Sequence, residues 1–233
     1  MIKPAHHPLY ERFFGAYLWT HMRLAFRYIR IHNNFTDNGN PVILIGNHFS
    51  WWDGFIARHV NINVFKRKLH LMMDEEQLAK RKFLCRLGAF SIKKNNRSAI
   101  ESLNYAASVL NDPGKLLVVF PQGQFQSLHQ HPVNFQKGWF RIIQKSQPNI
   151  QIVFMVALTD YFSSPRPGLD IYLESAAPGN IYNPTNEPKP DHSTSPLTVH
   201  DTHKNHLLSD AKAIETAFNA FHKKAIGLQD MGI

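Results

Sequence analysis

Three short runs, PVILIGN at residues 41–47, KLLVVF at 115–120 and IQIVFMVAL at 150–158, are apolar on nearly every position and rich in Val and Ile. A strand with one wet face alternates polar and apolar side chains, whereas a strand buried on both faces does not. Such runs therefore predict the interior of a parallel sheet, which needs helices on both of its faces. The chain supplies them. SWWDGFIARHV follows the first run, DEEQLAKRKFLCRLG precedes Gly88 as a terminator, SAIESLNYAASVLND stops before Pro113, and FQKGWFRIIQKS precedes the third run. KLHLMM, GAFSIKK and LDIYLES complete the strands. The expected fold is α/β, a mostly parallel sheet flanked by helices and preceded by an N-terminal amphipathic helical segment.

The expected layout is an N-terminal interfacial helix over 1–33, an α/β domain over 34–182, a polar, Pro-rich linker or loop over 183–206, and a C-terminal helix over 207–233. On a helical wheel, Tyr10 to Ile31 puts Arg12, Arg23, Arg27 and Arg30 on one side. Phe13, Phe14, Tyr17, Leu18, Leu24, Ala25, Tyr28 and Ile29 fall on the other. Both a helix packed on the core and a helix lying in a membrane interface fit that pattern. His32 to Pro41 reads as a turn-rich loop. The start has no apolar signal region, and no run reaches the ~20 residues that cross a bilayer.

With 43% hydrophobic residues the chain can bury a core; its formal charge of +9 points to a polyanionic partner such as nucleic acid, an anionic membrane surface or an acidic thioester. One cysteine, Cys85, rules out a disulfide framework and is expected to be a small buried hydrophobe. Zinc-hydrolase, serine-elbow and nucleotide-binding motifs are absent. The pair His129 and His131 has no further ligands in view, so no metal is expected. Lys80, Arg81, Lys82 and Arg86 beside Phe83 and Leu84 make either a membrane or anion patch or a solvated face. Trp51 and Trp52 suit an acyl tunnel, core packing or the interface alike.

The chemistry is sought at Asn47-His48-Phe49-Ser50-Trp51-Trp52-Asp53. Spacing alone decides nothing. The chain has 14 His, and His6/Glu11, His32/Asp37 and His70/Glu75 share the same separation. Context sets His48 apart, because it follows a buried strand directly, where ligands bind in open α/β sheets. Ser50 to Asp53 also has the form of a capping box, with Ser50 as N-cap, which turns Asp53 back toward His48.

NHFSWWD followed by strand, helix and strand resembles the first block, N-H-x-S-x-x-D, of the glycerolipid acyltransferase family, lysophosphatidic acid acyltransferase type. The later blocks follow in order. Gly88, Phe90 and Ile92 lead to Lys94 in the Arg position of the second block, with Arg97 close behind. Phe120, Pro121 and Gly123 keep the third block, F-P-E-G-T-R, while Gln122, Gln124 and Phe125 replace its Glu, Thr and Arg. Phe135, Lys137, Gly138 and Arg141 match a downstream motif, and IVFMVAL stands as the fourth block without its proline.

The resemblance implies transfer of an acyl group from acyl-CoA or acyl carrier protein to a hydroxyl of a lysophospholipid-like acceptor. His48 would act as general base and Asp53 as its orienting carboxylate. Asn47, Ser50, Lys94, Arg97, Phe120, Pro121, Gln122, Gly123 and Lys137 would contact substrate. Backbone N–H groups near Gly123 or Ser50 would face the oxyanion. No cofactor beyond the thioester co-substrate is needed. The partners would be a membrane lipid surface, the acyl carrier and the lipid acceptor, with no nucleic acid, and the place the cytoplasmic face of a membrane, peripherally. The alternative is a non-catalytic lipid-surface binder of the same fold, which loss of the third-block Glu and Arg keeps open.

Overall fold

The computed structural model describes residues 1–93, 98–136, 138–146, 149–176 and 196–231, with the backbone alone for 196–210. Seven strands form one sheet: β1 (Ile29–Asn34), β2 (Val42–Gly46), β3 (Lys68–Asp74), β4 (Ala89–Ile92), β5 (Lys115–Val119), β6 (Gln151–Asp160) and β7 (Gly168–Ser175). Their spatial order is β1-β7-β6-β2-β5-β3-β4. Only the β6–β7 pair is antiparallel. The expected α/β architecture is therefore present. β2, the first apolar run, lies at the centre between β6 and β5, buried along its whole length.

Helices cover both faces. α1 (Pro8–Ala25), α2 (Asp53–Val60) and α3 (Glu75–Lys80) pack on one side through Phe14, Leu18, Met22, Phe55, Ile56 and Leu78. α4 (Ala99–Val109), α5 (Arg141–Lys145) and α6 (Pro196–Asp230) cover the other through residues such as Leu103, Ile142 and Phe218. The chain leaves β2 through α2 toward β3, and leaves β5 through α5 toward β6, in opposite directions across the sheet. Right-handed crossovers in opposite directions put their helices on opposite faces. A crevice consequently opens between the C-terminal ends of β2 and β5, a topological switch point of the kind where ligands bind.

Five local expectations are corrected. The N-terminal helix ends at Ala25, not Ile31; Phe26 is extended, and Arg27 N donates to Pro167 O at 2.8 Å. Ile29 and Ile31 belong to a strand paired in parallel with β7, so His32 to Asn34 are not a loop. On a wheel these residues simply extend the apolar face; pairing with a strand far along the chain overrides that local pattern. The helix before Gly88 is broken at Arg81. α3, capped by Asp74, stops at Lys80, and a 3-10 turn over Lys82–Leu87 ends at Gly88 with φ of 97°. There a Cβ would lie 2.0 Å from Leu69 O, so glycine is required twice over. The helix over FQKGWFRIIQKS shrinks to Arg141–Lys145. α6 starts at Pro196, inside the expected linker.

Among the described residues, no helix is long and apolar enough to cross a membrane. α1 divides its apolar residues between two directions. Phe14, Leu18 and Met22 enter the core, while Leu9, Phe13, Tyr17 and Leu24 face outward, Leu9 and Phe13 about 70% exposed (72% and 70%).

Candidate active site

Asn47 continues the β2–β6 ladder with its side chain. Its Nδ2 donates to Ala157 O at 2.9 Å and its Oδ1 accepts from Ala157 N at 2.8 Å. This clamp fixes the point where the chain turns out of the sheet, and delivers His48 to the crevice. His48 is then held on every side. Its backbone N donates to Gln122 Oε1 at 2.5 Å, and its carbonyl accepts from Gln126 N at 2.8 Å. Both partners come from the segment after β5. Gln122 is 2% exposed and spends its remaining nitrogen on Gln126 Oε1 at 2.7 Å.

The imidazole pairs with Asp53, the two separated by 2.7 Å between Nδ1 and Oδ2. The same carboxylate oxygen accepts the N–H of Phe49 at 2.8 Å and of Ser50 at 2.9 Å. Ser50 Oγ in turn accepts from Trp52 N at 3.1 Å. Of the expected capping box, the bond from Ser50 N to Asp53 is made, while Asp53 N donates to the Ser50 carbonyl at 3.2 Å instead of to Ser50 Oγ, and all of this lies on a turn. The regular helix begins only at Asp53, with Trp52 at its N-cap and no side-chain cap there. Asp53 is 1% exposed. Burial pushes its carboxyl up by more than the hydrogen bond from His48, that from Ser50, the charge of His48 and the Phe49 N–H pull it down, so on balance it is raised. With Asp53 ionised, Oδ2 accepts from the Phe49 and Ser50 N–H groups and from His48 Nδ1–H, and Nε2 is the ring nitrogen left to accept a proton.

Two aromatic rings flank that imidazole. Phe120 stacks on it at 4.7 Å with the planes 16° apart, and Phe125 leans against it at 4.3 Å. Phe120 is held close by Gly46, where a Cβ would come within 2.6 Å of its ring. The cavity beside His48 is about 10 Å³, room for one water. Its lining includes His222 of α6, a buried histidine with both ring nitrogens unpartnered, which nothing in the local sequence marked out.

The structure brings Asn47, His48, Ser50, Asp53, Phe120, Pro121, Gln122 and Gly123 to one crevice. Two expectations change there. Neither group named for the oxyanion is free: Gly123 N donates to Phe120 O at 3.1 Å, and Ser50 N is taken by Asp53. Asn47 and Gln122, expected to contact substrate, spend their polar atoms on the protein itself. Lys94, Arg97 and Lys137 lie outside the described residues.

The rival histidines are used elsewhere. His6 does bond Glu11 at 2.8 Å, but at the start of α1. His32 takes Asp170 at 3.0 Å rather than Asp37, which receives Arg67. His70 takes Tyr105 while Glu75 accepts from Ser91. His131 packs on His222 at 4.6 Å, and no set of three or more ligand-type side chains gathers among the described residues. Cys85 is buried.

No curated protein matches the chain closely enough to count as a relative. A family model described as Acyltransferase matches residues 28–156, a stretch that opens just before β1 and takes in β2, the His48–Asp53 turn, the Phe120–Phe125 segment and most of β6. With more than half of its length matched over the residues that build the crevice, the chain belongs to the acyltransferase family.

Proposed function

We propose that this acyltransferase moves a fatty acyl group from an acyl thioester, acyl-CoA or acyl carrier protein, to a hydroxyl of a lysophospholipid-like acceptor. It would work as a peripheral enzyme on the cytoplasmic face of a membrane. The observation that carries the reading is the His48–Asp53 pair at the switch point, with Nε2 free to accept a proton. An acceptor hydroxyl has a pKa far above neutrality, so it needs a base as it attacks. In the proposed step its oxygen bonds to the thioester carbonyl carbon while His48 Nε2 takes its proton. The tetrahedral intermediate collapses, the carbon–sulfur bond breaks, and the departing thiolate recovers the proton from His48. The products are ester and thiol, and neither metal nor redox group enters. Asp53 keeps Nδ1 protonated and stabilises the imidazolium as it forms.

A cavity of about 10 Å³ is too small for either substrate. Phe125, 59% exposed and 4.3 Å from the His48 ring, is the side chain that can swing away from the imidazole to make room. The membrane side of the reading rests on an aromatic chain whose exposed members, Tyr17, Phe83 and Trp51, are joined through the buried Phe14 and Phe55. Phe83 packs on Phe14, Phe14 on Tyr17 and Phe55, and Phe55 on Trp51, which is 61% exposed at the turn carrying His48. This chain joins the outward face of α1 to the mouth of the crevice, as a lipid-facing rim would.

The test incubates purified protein with acyl-CoA or acyl carrier protein thioester and a set of lysolipids in vesicles, and reads free thiol and product mass. Thiol release that depends on acceptor is expected, with His48→Ala reducing it by ~10² or more while the fold persists. A His48→Ala protein within a few-fold of wild type removes His48 from the mechanism. Vesicle binding with no thiol release from any acceptor points instead to a non-catalytic lipid-surface protein.

A further inference from the structure

A groove of about 350 Å³ lies between the end of α1, the end of α2 and the residues that lead into β1. It shares no lining residue with the cavity at His48. Its apolar lining is the Trp19 ring, 57% exposed, with Ile29 and the nearly buried Met22 and Phe26. Arg23, Arg27, Tyr28, His59 and Asn63 complete it. Both arginines are exposed, and among the described residues neither forms an ion pair with a carboxylate. The Arg23 guanidinium sits 5.2 Å from the Trp19 ring. Arg166 adds a third guanidinium beside the pair, donating to the carbonyls of Arg23 and Leu24 at the end of α1. Burial first, and then the charge of Arg23, push His59 down toward its neutral form. Among the described residues no carboxylate pairs with Arg23 or Arg27 at this corner.

Guanidinium groups beside an exposed indole fit a ligand with both characters. A free phosphate would leave Trp19 unused, and a neutral acyl chain would leave the guanidinium groups unmatched. We propose that the groove holds one anionic phospholipid, its phosphate on Arg23 and Arg27 and the start of an acyl chain along the exposed Trp19 ring. The site is separate from that of the reacting acceptor. Phe26, which meets Trp52 edge-on at 5.6 Å, forms the wall between the groove and the turn carrying His48. The proposal does not rest on acyl transfer, and binding is read without turnover.

The experiment is calorimetric titration of the full chain with dihexanoylphosphatidylglycerol below its micelle concentration. The same titration is repeated with dihexanoylphosphatidylcholine, inorganic phosphate and coenzyme A. Saturable one-to-one binding of the anionic lipid is expected, about tenfold or more tighter than the other three. The double variant Arg23→Gln/Arg27→Gln should weaken it about tenfold or more, and so should Asn63→Glu, which places a negative charge in the groove. All three positions are exposed, so the fold tolerates them, and a thermal melt checks this. His48→Ala should bind as wild type does. Absence of saturation, equal affinity for phosphate or coenzyme A, equal affinity for the zwitterionic lipid, or undiminished binding in both groove variants each overturns the proposal. Loss of binding in His48→Ala overturns it as well, by assigning the lipid to the crevice.

Discussion

Asp53 receives the His48 imidazole on one carboxylate oxygen, Oδ2, which also holds the N–H groups of Phe49 and Ser50, while Oδ1 is buried without a partner. One atom therefore both shapes the turn and orients the His48 ring, the base of the proposed step. Asp53→Asn can keep its carbonyl oxygen where Oδ2 lies and retain all three bonds, but it carries no charge to stabilise an imidazolium. Activity should fall by ~10² or more, with the melting temperature changing by only a few degrees. A parallel loss of activity and stability, measured by thiol release and thermal unfolding on the same protein, would reduce Asp53 to a cap. Asp53→Leu, which leaves the three donors stranded, should destabilise by several kcal/mol, on the order of 1–3 per buried orphan.

Gly46 provides a test at a distance. A methyl group there meets the Phe120 ring at 2.6 Å and Met155 at 3.0 Å, so the ring has to shift. Phe120 stacks on His48, and the shift is passed to the base. Gly46→Ala should cost about 1–3 kcal/mol of stability by overpacking. It should also lower kcat more than the stability loss explains, with KM for the thioester little changed. Full activity at a temperature well below unfolding would mean that the Phe120 stack does not position His48.

How much of this was legible before the structure can be judged residue by residue. His48 and Asp53 were, because a buried strand, a turn and a helix start are consecutive in the chain and their geometry is local. β1 was not. Ile29 and Ile31 fit a helical stripe as well as a strand, and the partner that decides between them, β7, lies about 140 positions away (Ile29 pairs with Leu169). Gln122 read as a substrate contact, yet it is a brace, because its partner is the backbone N–H of His48 and a backbone donor leaves no trace in residue identity. His222 reaches the cavity from α6, and a helix docking on the far side of the sheet gives no signal near residue 48.

Two buried histidines set the acid limit of the fold. Burial, followed by the charges of His6, Lys115 and Lys68, pushes His70 down to about 4, and burial with His131 does the same to His222. In the unfolded chain each titrates near 6.5. Between these values the unfolded state binds the extra protons, so stability is complete above about pH 6.5 and is lost as the pH falls toward 4. Each site contributes on the order of 2–3 kcal/mol to that loss. Denaturant midpoints at pH 7.5 and pH 5 should differ markedly in wild type, and less in His70→Gln or His222→Gln. A wild-type midpoint that does not move between the two would show that both rings accept protons in the folded state.

The outward face of α1 predicts how the protein meets lipid. Leu9→Asp with Phe13→Asp changes two residues that touch little of the core. Sedimentation with anionic vesicles should drop severalfold while the melting temperature holds, since burying two carboxylates in the interface is costly. Unchanged sedimentation would move the lipid contact elsewhere, with the exposed Lys80, Arg81, Lys82, Phe83 and Arg86 the next residues to change.

Acceptor choice turns on Phe125. In the motif that this segment resembles, the position carries an arginine; here a phenyl ring lies 4.3 Å from the His48 imidazole. In the proposed step the side chain at 125 would therefore face the attacking hydroxyl and its neighbours. An arginine there offers a planar, bidentate partner to a phosphate monoester, and a phenyl ring offers none. Loss of such contacts costs on the order of 2–5 kcal/mol, enough to reorder acceptors by kcat/KM. Lysophosphatidic acid should consequently compete poorly against at least one lysolipid without a terminal phosphate monoester, when one donor is offered to a mixture and product masses are read directly. Phe125→Arg should raise the share of phosphorylated acceptor consumed. If lysophosphatidic acid already wins with the wild-type protein, the phosphate is held by groups away from residue 125. Phe125→Arg should then leave the preference where it was.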